Sequence, residues 1–129
     1  MRNPTFSGEE LTNLSQWLKV FSEPNRLFLF EKIMNGVQCN CELVDALQLA
    51  PNLISHHLSV LKEAGFINAE RDPEDGRWIY YSINIEVVDE LKRVILAFFD
   101  SNRVQPRGSH CGPHVTEEQR QSLLRMTKK

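Results

Sequence analysis

The chain has 129 residues, 41% hydrophobic and 25% charged, the composition of one cored domain of ordinary size. Its net charge of −2 is not the bulk signature of a nucleic-acid binder, so any DNA binding must rest on a local surface. No apolar run approaches the ~20 residues of a membrane span, and Met1 to Thr5 lack the apolar core of a secretory signal, which points to a cytoplasmic protein with no membrane partner.

Ser7 and Glu10 have capping-box spacing, and Leu11, Leu14, Trp17, Leu18 and Phe21 share one stripe, predicting a first helix over residues 8–21. Pro24 suits a first helical turn, and Leu27, Phe28, Phe30, Ile33 and Met34 carry a second helix to a stop at Gly36. That helix is apolar on more than one side and is expected at the centre of the core. Asn40 is the expected N-cap of a third helix over residues 41–47, with Glu42 in its first turn.

After a break at Leu49, Ala50 and Pro51, a fourth helix runs to Ala64 and stops at Gly65. Ile54, Leu58 and Leu61 keep core spacing, which turns Asn52, Ser55, His56, Ser59 and Lys62 outward. His57 lies nearer the core stripe and is expected to be structural. Residues 66–71 and 77–83 read as strands of a hairpin, joined across Asp72 to Gly76 with an Asp-Gly turn signal. Glu86 opens a further stripe through Val87, Val88, Leu91, Val94, Ile95, Phe98 and Phe99. Residues 1–101 therefore form the domain, and 102–129 a linker-like tail that carries His110, Cys111 and His114, with a short helix over 116–126.

Four helices, a hairpin and a helix make a mainly α fold with a β-hairpin wing: a winged helix-turn-helix. Cys39-x-Cys41-Glu42-Leu43, then Ser55-His56-His57-Leu58-x-x-Leu61-x-x-x-Gly65, then Gly76-Arg77-x-x-x-Tyr81 resembles the ArsR/SmtB family of metal-responsive transcriptional repressors. Ser22 to Leu27 is similar to the segment that opens that family's second helix. The resemblance covers residues 22–84 with specific motifs and extends more loosely to 101. It implies a homodimer paired through its N- and C-terminal helices, with the Ser55 to Lys62 helix in the major groove of double-stranded operator DNA and the hairpin beside it.

The residues suit that role. Asn52, Ser55, His56 and Ser59 can hydrogen-bond base edges or phosphates, and Lys62, Arg71 and Arg77 can meet phosphates. Glu63, Glu70, Glu74 and Asp75 oppose them, leaving two half-sites in a dimer to supply affinity. The competing reading is an exposed polar face on a domain that binds protein. An enzyme is disfavoured, because there is no glycine-rich phosphate loop and no nucleophile signature.

Three cysteines, an odd number, argue against a disulfide framework and leave metal ligands, redox thiols or buried filler. Cys39 and Cys41 straddle the expected N-cap: on a regular helix they would point about 200° apart and in an extended segment to the same side, and joint coordination is expected to compete with a regular first turn. The positive helix end is expected to lower their pKa values. In the family's arsenic-responsive members a third cysteine follows three residues on, where this chain has Val44, and the N-terminal cysteines of cadmium- and lead-sensing relatives are absent too.

Cys111 is then either a third ligand brought back by the tail or an unrelated thiol. The resemblance implies an inducer of trivalent arsenic or antimony, As(III) or Sb(III), at Cys39 and Cys41, and in the first of these readings Cys111 completes the site. Cadmium, lead or zinc remain alternatives, with His110 or His114 completing a tetrahedral site, and so does a thiol-redox switch on the same fold. The family's zinc site on the last helix is not evident, since the stretch from Glu86 to Ser101 has no histidine.

Overall fold

The computed structural model describes residues 5–108, 112, 116–118, 120 and 121. The elements are α1 (Gly8–Phe21), α2 (Pro24–Met34), α3 (Asn40–Leu47), α4 (Pro51–Glu63), β1 (Ile67–Arg71), β2 (Ile79–Ile83), α5 (Ile85–Phe98) and a 3-10 turn (Ser101–Arg103). This is the winged helix-turn-helix order read from the sequence. Residues 117, 118, 120 and 121 are helical, while the rest of the helix expected over 116–126 lies largely outside the described residues. Among the described residues, no helix is long and apolar enough to cross a membrane.

Local chemistry sets the helix starts. Ser7 Oγ accepts from the Glu10 N–H at 3.1 Å and Glu10 Oε1 accepts from the Ser7 N–H at 3.0 Å, closing the capping box of α1. Glu23 caps α2 by accepting the Arg26 N–H at 3.1 Å, just ahead of Pro24. At α3 the cap is Cys39 rather than Asn40, because Glu42 Oε1 reaches back to the Cys39 N–H at 3.3 Å and makes Asn40 the first helical residue. α3 ends at Gln48, held in the left-handed region at φ 55°, with its Nε2 donating to the Asp45 carbonyl at 2.7 Å.

α2 packs on α1, α3, α4 and β2. Its Leu29, Phe30 and Ile33 join Leu43, Ile54, Leu58, Leu61, Phe66 and Ile67 in one buried cluster. Phe66 is fully buried, with its ring edge-on to Phe21 at 4.7 Å and to Trp17 at 6.0 Å. The expectation that α2 is covered on several sides holds only in part, since Leu27, Phe28 and Met34 are exposed.

The wing is antiparallel, running in register from Ile67 opposite Ile83 to Arg71 opposite Ile79. Asp72 organises its connection, with Oδ1 accepting the N–H groups of Glu74 at 2.8 Å and Asp75 at 3.0 Å, and Oδ2 accepting the Tyr80 hydroxyl at 3.1 Å. The connection is thus the loop expected across Asp72 to Gly76, lengthened by Arg77 and Trp78 because β2 begins at Ile79. On the other side of β2, the Tyr81 N–H donates to the Gln38 carbonyl at 2.7 Å and Cys39 forms an antiparallel bridge with Tyr80. The entry to α3 is thereby laid along the wing.

α5 packs against α1 and has no fully buried residue. Val87, Val88 and Leu91 touch the core, while Leu96 and Phe99 are 67% and 64% exposed. At its end the Arg103 guanidinium sits 4.7 Å over the Phe6 ring and 5.2 Å over that of Phe98, tying the two ends of the described domain together.

Candidate metal centre and nucleic-acid interface

Cys39 Sγ and Cys41 Sγ are 3.1 Å apart. Of the two geometries open to residues that straddle a helix start, the divergent one does not arise, because only Cys41 is helical. Cys39 is extended (φ −114°, ψ 160°), held so by its bridge to Tyr80, and its sulfur meets that of Cys41 at the start of the helix. The thiols therefore meet with the first turn of α3 intact, which corrects the expected competition between coordination and helix.

The local electrostatics also differ from expectation. Cys39 Sγ donates to Glu42 Oε1 at 3.0 Å. Burial pushes the Cys39 thiol up to about 11, and the hydrogen bonds to Glu42 and Cys41 act in the same direction. Removal from water and a neighbouring carboxylate outweigh the attraction of the helix end. The same thiol and backbone donors hold the Glu42 carboxyl below its ordinary value.

The pair opens onto a cleft of about 400 Å³, with Cys39, Asn40 and Cys41 on one side and the wing residues Arg77, Trp78 and Ile79 on the other. Asn40 Oδ1 is buried there without a hydrogen-bond donor. Among the described residues, no cluster of three or more His, Cys, Asp or Glu side chains is arranged to hold a metal ion. Cys111, His110 and His114, the candidates for a completing ligand, lie outside the described residues.

α4 divides as its spacing demanded. Ile54, His57, Leu58 and Leu61 are buried, and Asn52, Ser55, His56, Ser59 and Lys62 are exposed. Ser55, Ser59 and Lys62 line a groove with Ala69, Ile79 and Tyr81, so the outer face of α4 and the wing make one continuous surface. Arg77 stands at the wing tip with its side chain 88% exposed, but it is paired to Asp75 through Nε at 3.0 Å and Nη2 at 2.8 Å. Arg71 donates to the Gly76 carbonyl. An exposed ion pair of this kind is worth only about 0–1 kcal/mol, so a phosphate can replace Asp75 at Arg77.

His57 is structural, as expected, and the sequence reading missed the residues that hold it. Its Nε2 lies 3.7 Å from Glu23 Oε2 and its Nδ1 3.3 Å from Arg26 Nη1, while Arg26 Nε donates to the Val20 carbonyl at 2.6 Å. Burial lowers the imidazole's pKa; Arg26 and His56 add to this and Glu23 opposes it. A neutral ring can accept from Arg26, and so docks α4 on the junction of α1 and α2. The only signal was the Ser22 to Leu27 run, which by itself says nothing about contact with α4.

The family model of bacterial regulatory proteins of the arsR family matches residues 23–69, from the cap of α2 into β1. An uncharacterized HTH-type transcriptional regulator of Methanocaldococcus jannaschii is 34% identical over 88 residues, covering 67% of this chain and 92% of that protein. The arsenic resistance transcriptional regulator ArsR1 of Pseudomonas putida is 37% identical over 68 residues, covering 53% of this chain and 51% of that protein, so this chain spans about half of that relative. A solved structure of a possible transcriptional regulator for arsenical resistance matches with a TM-score of 0.58 at 29% identity, covering 67% of this chain and 86% of that one. The matched region contains the buried face of α4 and the thiol pair. The chain belongs to the arsR family of bacterial regulatory proteins, and it is a DNA-binding transcriptional regulator rather than an enzyme.

Proposed function

We propose that the protein is a cytoplasmic homodimeric repressor that leaves its operator when trivalent arsenic or antimony binds Cys39 and Cys41. The observation that carries this reading is the 3.1 Å approach of the two sulfurs. A tetrahedral zinc with bonds of ~2.3 Å spans a sulfur–sulfur edge of about 3.8 Å, whereas a pyramidal ion with near-right angles and similar bonds closes on about 3.3 Å. The pair thus suits a soft, thiophilic ion with a narrow angle between its sulfurs better than tetrahedral zinc. The arsenic resistance named for the Pseudomonas putida relative agrees with that preference. For inorganic arsenite, Cys111 supplies the third thiolate in this reading.

Homodimerisation is supported by the uncovered apolar residues of α1 and α5, among them Leu11, Leu18, Leu96 and Phe99. Two copies of α4 then address two half-sites. Ser55 and His56 read base edges, Asn52 and Ser59 support them, and Lys62, Arg71 and Arg77 contact phosphates. Release follows from the location of the thiols. The ion replaces the S–H that binds Glu42 at the cap of α3, at the edge of the cleft shared with the wing, and in this reading the loss of that bond shifts the helix-turn-helix and the wing from their DNA-competent arrangement.

The sulfur contact also favours a second reading, oxidation of the pair, since Cys41 is exposed to an oxidant. Anaerobic titration of the operator complex with arsenite, and separately with peroxide, distinguishes the two. Release by arsenite from the parent, lost in Cys39→Ser and Cys41→Ser, supports the metalloid reading. Release by peroxide alone contradicts it.

A further inference from the structure

We propose that Arg26 is a positioning residue for the DNA-facing helix: it holds α4 through a contact that only the neutral His57 ring can make, so that selectivity for the operator falls as pH falls. This rests on the reading that the outer face of α4 addresses DNA.

Arg26 joins three elements. From α2 its Nε donates to the Val20 carbonyl at 2.6 Å and its Nη2 to the Lys19 carbonyl at 3.5 Å, both in the last turn of α1. Carbonyls there lack helical partners, and the residue four beyond Val20 is Pro24, which has no N–H to offer. The third arm, Nη1, reaches His57 Nδ1 on α4 at 3.3 Å. His57 is 5% exposed and stands about 200° round the helix from Ser55. How its ring is held therefore sets the position of Ser55, His56 and Ser59 on the opposite face.

An arginine donates and does not accept, so Nδ1 must carry a bare lone pair and the ring its single proton on Nε2. A second proton, on Nδ1, removes the acceptor and sets an imidazolium against a guanidinium. The charged groups that act on His57 are Glu23 at the cap of α2, Arg26 on α2 and His56 on α4; among the described residues none from α3 or β1, which also pack on α4, acts on it. Glu23 favours the charged ring, with Oε2 3.7 Å from Nε2, whereas Arg26 and His56 disfavour it and burial does so most. Protonation thus exchanges the Arg26 contact for Glu23, whose Oε2 already accepts the Arg26 N–H at the cap of α2. The ring leaves its tie to the end of α1, and α4 moves with it. Base contacts need α4 in one position, while binding to unrelated DNA rests on phosphates and tolerates the shift. One proton is taken up per helix released, so the loss is at most about tenfold per pH unit.

The test measures the affinities of the reduced full-length chain for operator and for an unrelated duplex between pH 7.5 and pH 5.0 at one salt concentration, with circular dichroism at each pH to show folded protein. In the parent the ratio of operator to unrelated affinity should fall several-fold across that range. His57→Gln, whose amide oxygen can accept from Arg26 at any pH, should keep its ratio flat. Arg26→Ala should lower the ratio roughly tenfold at pH 7.5, the worth of a hydrogen bond from a charged donor, and lose the pH dependence. Arg26→Lys, a point charge that cannot span both partners as the guanidinium does, should recover only part of that loss. A ratio that stays flat in the parent, or falls as steeply in His57→Gln, overturns the proposal, as does an Arg26→Ala ratio equal to the parent's. Ser55→Ala separates the two readings. Lost discrimination in Ser55→Ala, with none in Arg26→Ala or on acidification, overturns this proposal alone. A ratio unmoved by all three overturns it together with the reading of α4.

Discussion

Cys39 is bridged to Tyr80, so the residue that opens α3 also lies against the second strand of the wing. In the proposed reading a ligand on Cys39 would act at once on the helix-turn-helix and on the hairpin, the two elements that line the groove of Ser55, Ser59 and Lys62. Ligand and DNA would then compete through this shared framework without touching each other.

The pairing of Arg77 with Asp75 yields a prediction that the sequence alone did not suggest. Asp75→Ala frees a cation at the wing tip. Operator affinity should rise at low salt, with a steeper dependence on salt concentration. Arg77→Ala should weaken binding to all sequences alike and reduce the salt slope by about 1. Ser55→Ala and His56→Ala should instead lose discrimination between operator and unrelated DNA. Fluorescence anisotropy across a salt series separates the two classes. Unchanged affinity and slope in all four variants would mean that the DNA face lies elsewhere.

His57 makes stability depend on pH. Its folded-state pKa lies below the ordinary imidazole value, so the unfolded chain binds the proton more readily. The contribution is fully present above about pH 6.5 and is lost as pH falls through the depressed folded value. Urea midpoints should therefore drop between pH 7.5 and pH 5.5, a window above the range where Asp72, Asp75 and Glu42 titrate. His57→Gln should flatten that drop at a lower overall stability. An equally steep drop in His57→Gln would assign the effect to other groups.

Gln48 holds a left-handed backbone conformation at the turn between α3 and α4. Gln48→Gly removes the Cβ penalty there, but it also frees the unfolded chain and loses the bond to Asp45, so the net gain should stay within about 1 kcal/mol. Thermal unfolding measures it. A loss of more than about 1 kcal/mol would show that the side-chain bond outweighs the backbone strain.

The uncovered stripe on α1 and α5 predicts concentration-dependent association at micromolar protein. Leu96→Glu and Phe99→Glu should shift sedimentation toward the monomer and weaken operator binding in parallel. A parent that sediments as a monomer at every concentration would remove the two-half-site argument.

Much of the fold was legible because its signals are local. The Ser7 and Glu10 cap, Pro24, Pro51, Gly65 and the period of Ile54, Leu58 and Leu61 each act within a few residues. The outer face of α4 follows from the same period. The sequence leaves two thiol geometries open because the choice depends on the extended backbone of Cys39, fixed by Tyr80 from a distant part of the chain. The direction of its pKa was misread for a related reason: the helix end is visible in the sequence, whereas burial and the approach of Glu42 Oε1 arise only on folding. The docking of His57 on Glu23 and Arg26 is likewise a contact between elements, with no local trace.

The central claim is that a trivalent metalloid at Cys39 and Cys41 and operator DNA oppose each other. The most direct test measures arsenite affinity of the reduced protein with and without saturating operator, and operator affinity with and without saturating arsenite. Linkage requires the two factors to be equal, and a coupling of about 1–3 kcal/mol, or roughly 5- to 150-fold, is expected. Cys39→Ser and Cys41→Ser should bind operator as the parent does and show no coupling. Operator affinity unaffected by saturating arsenite in the parent, or coupling that persists in both serine variants, would contradict the account.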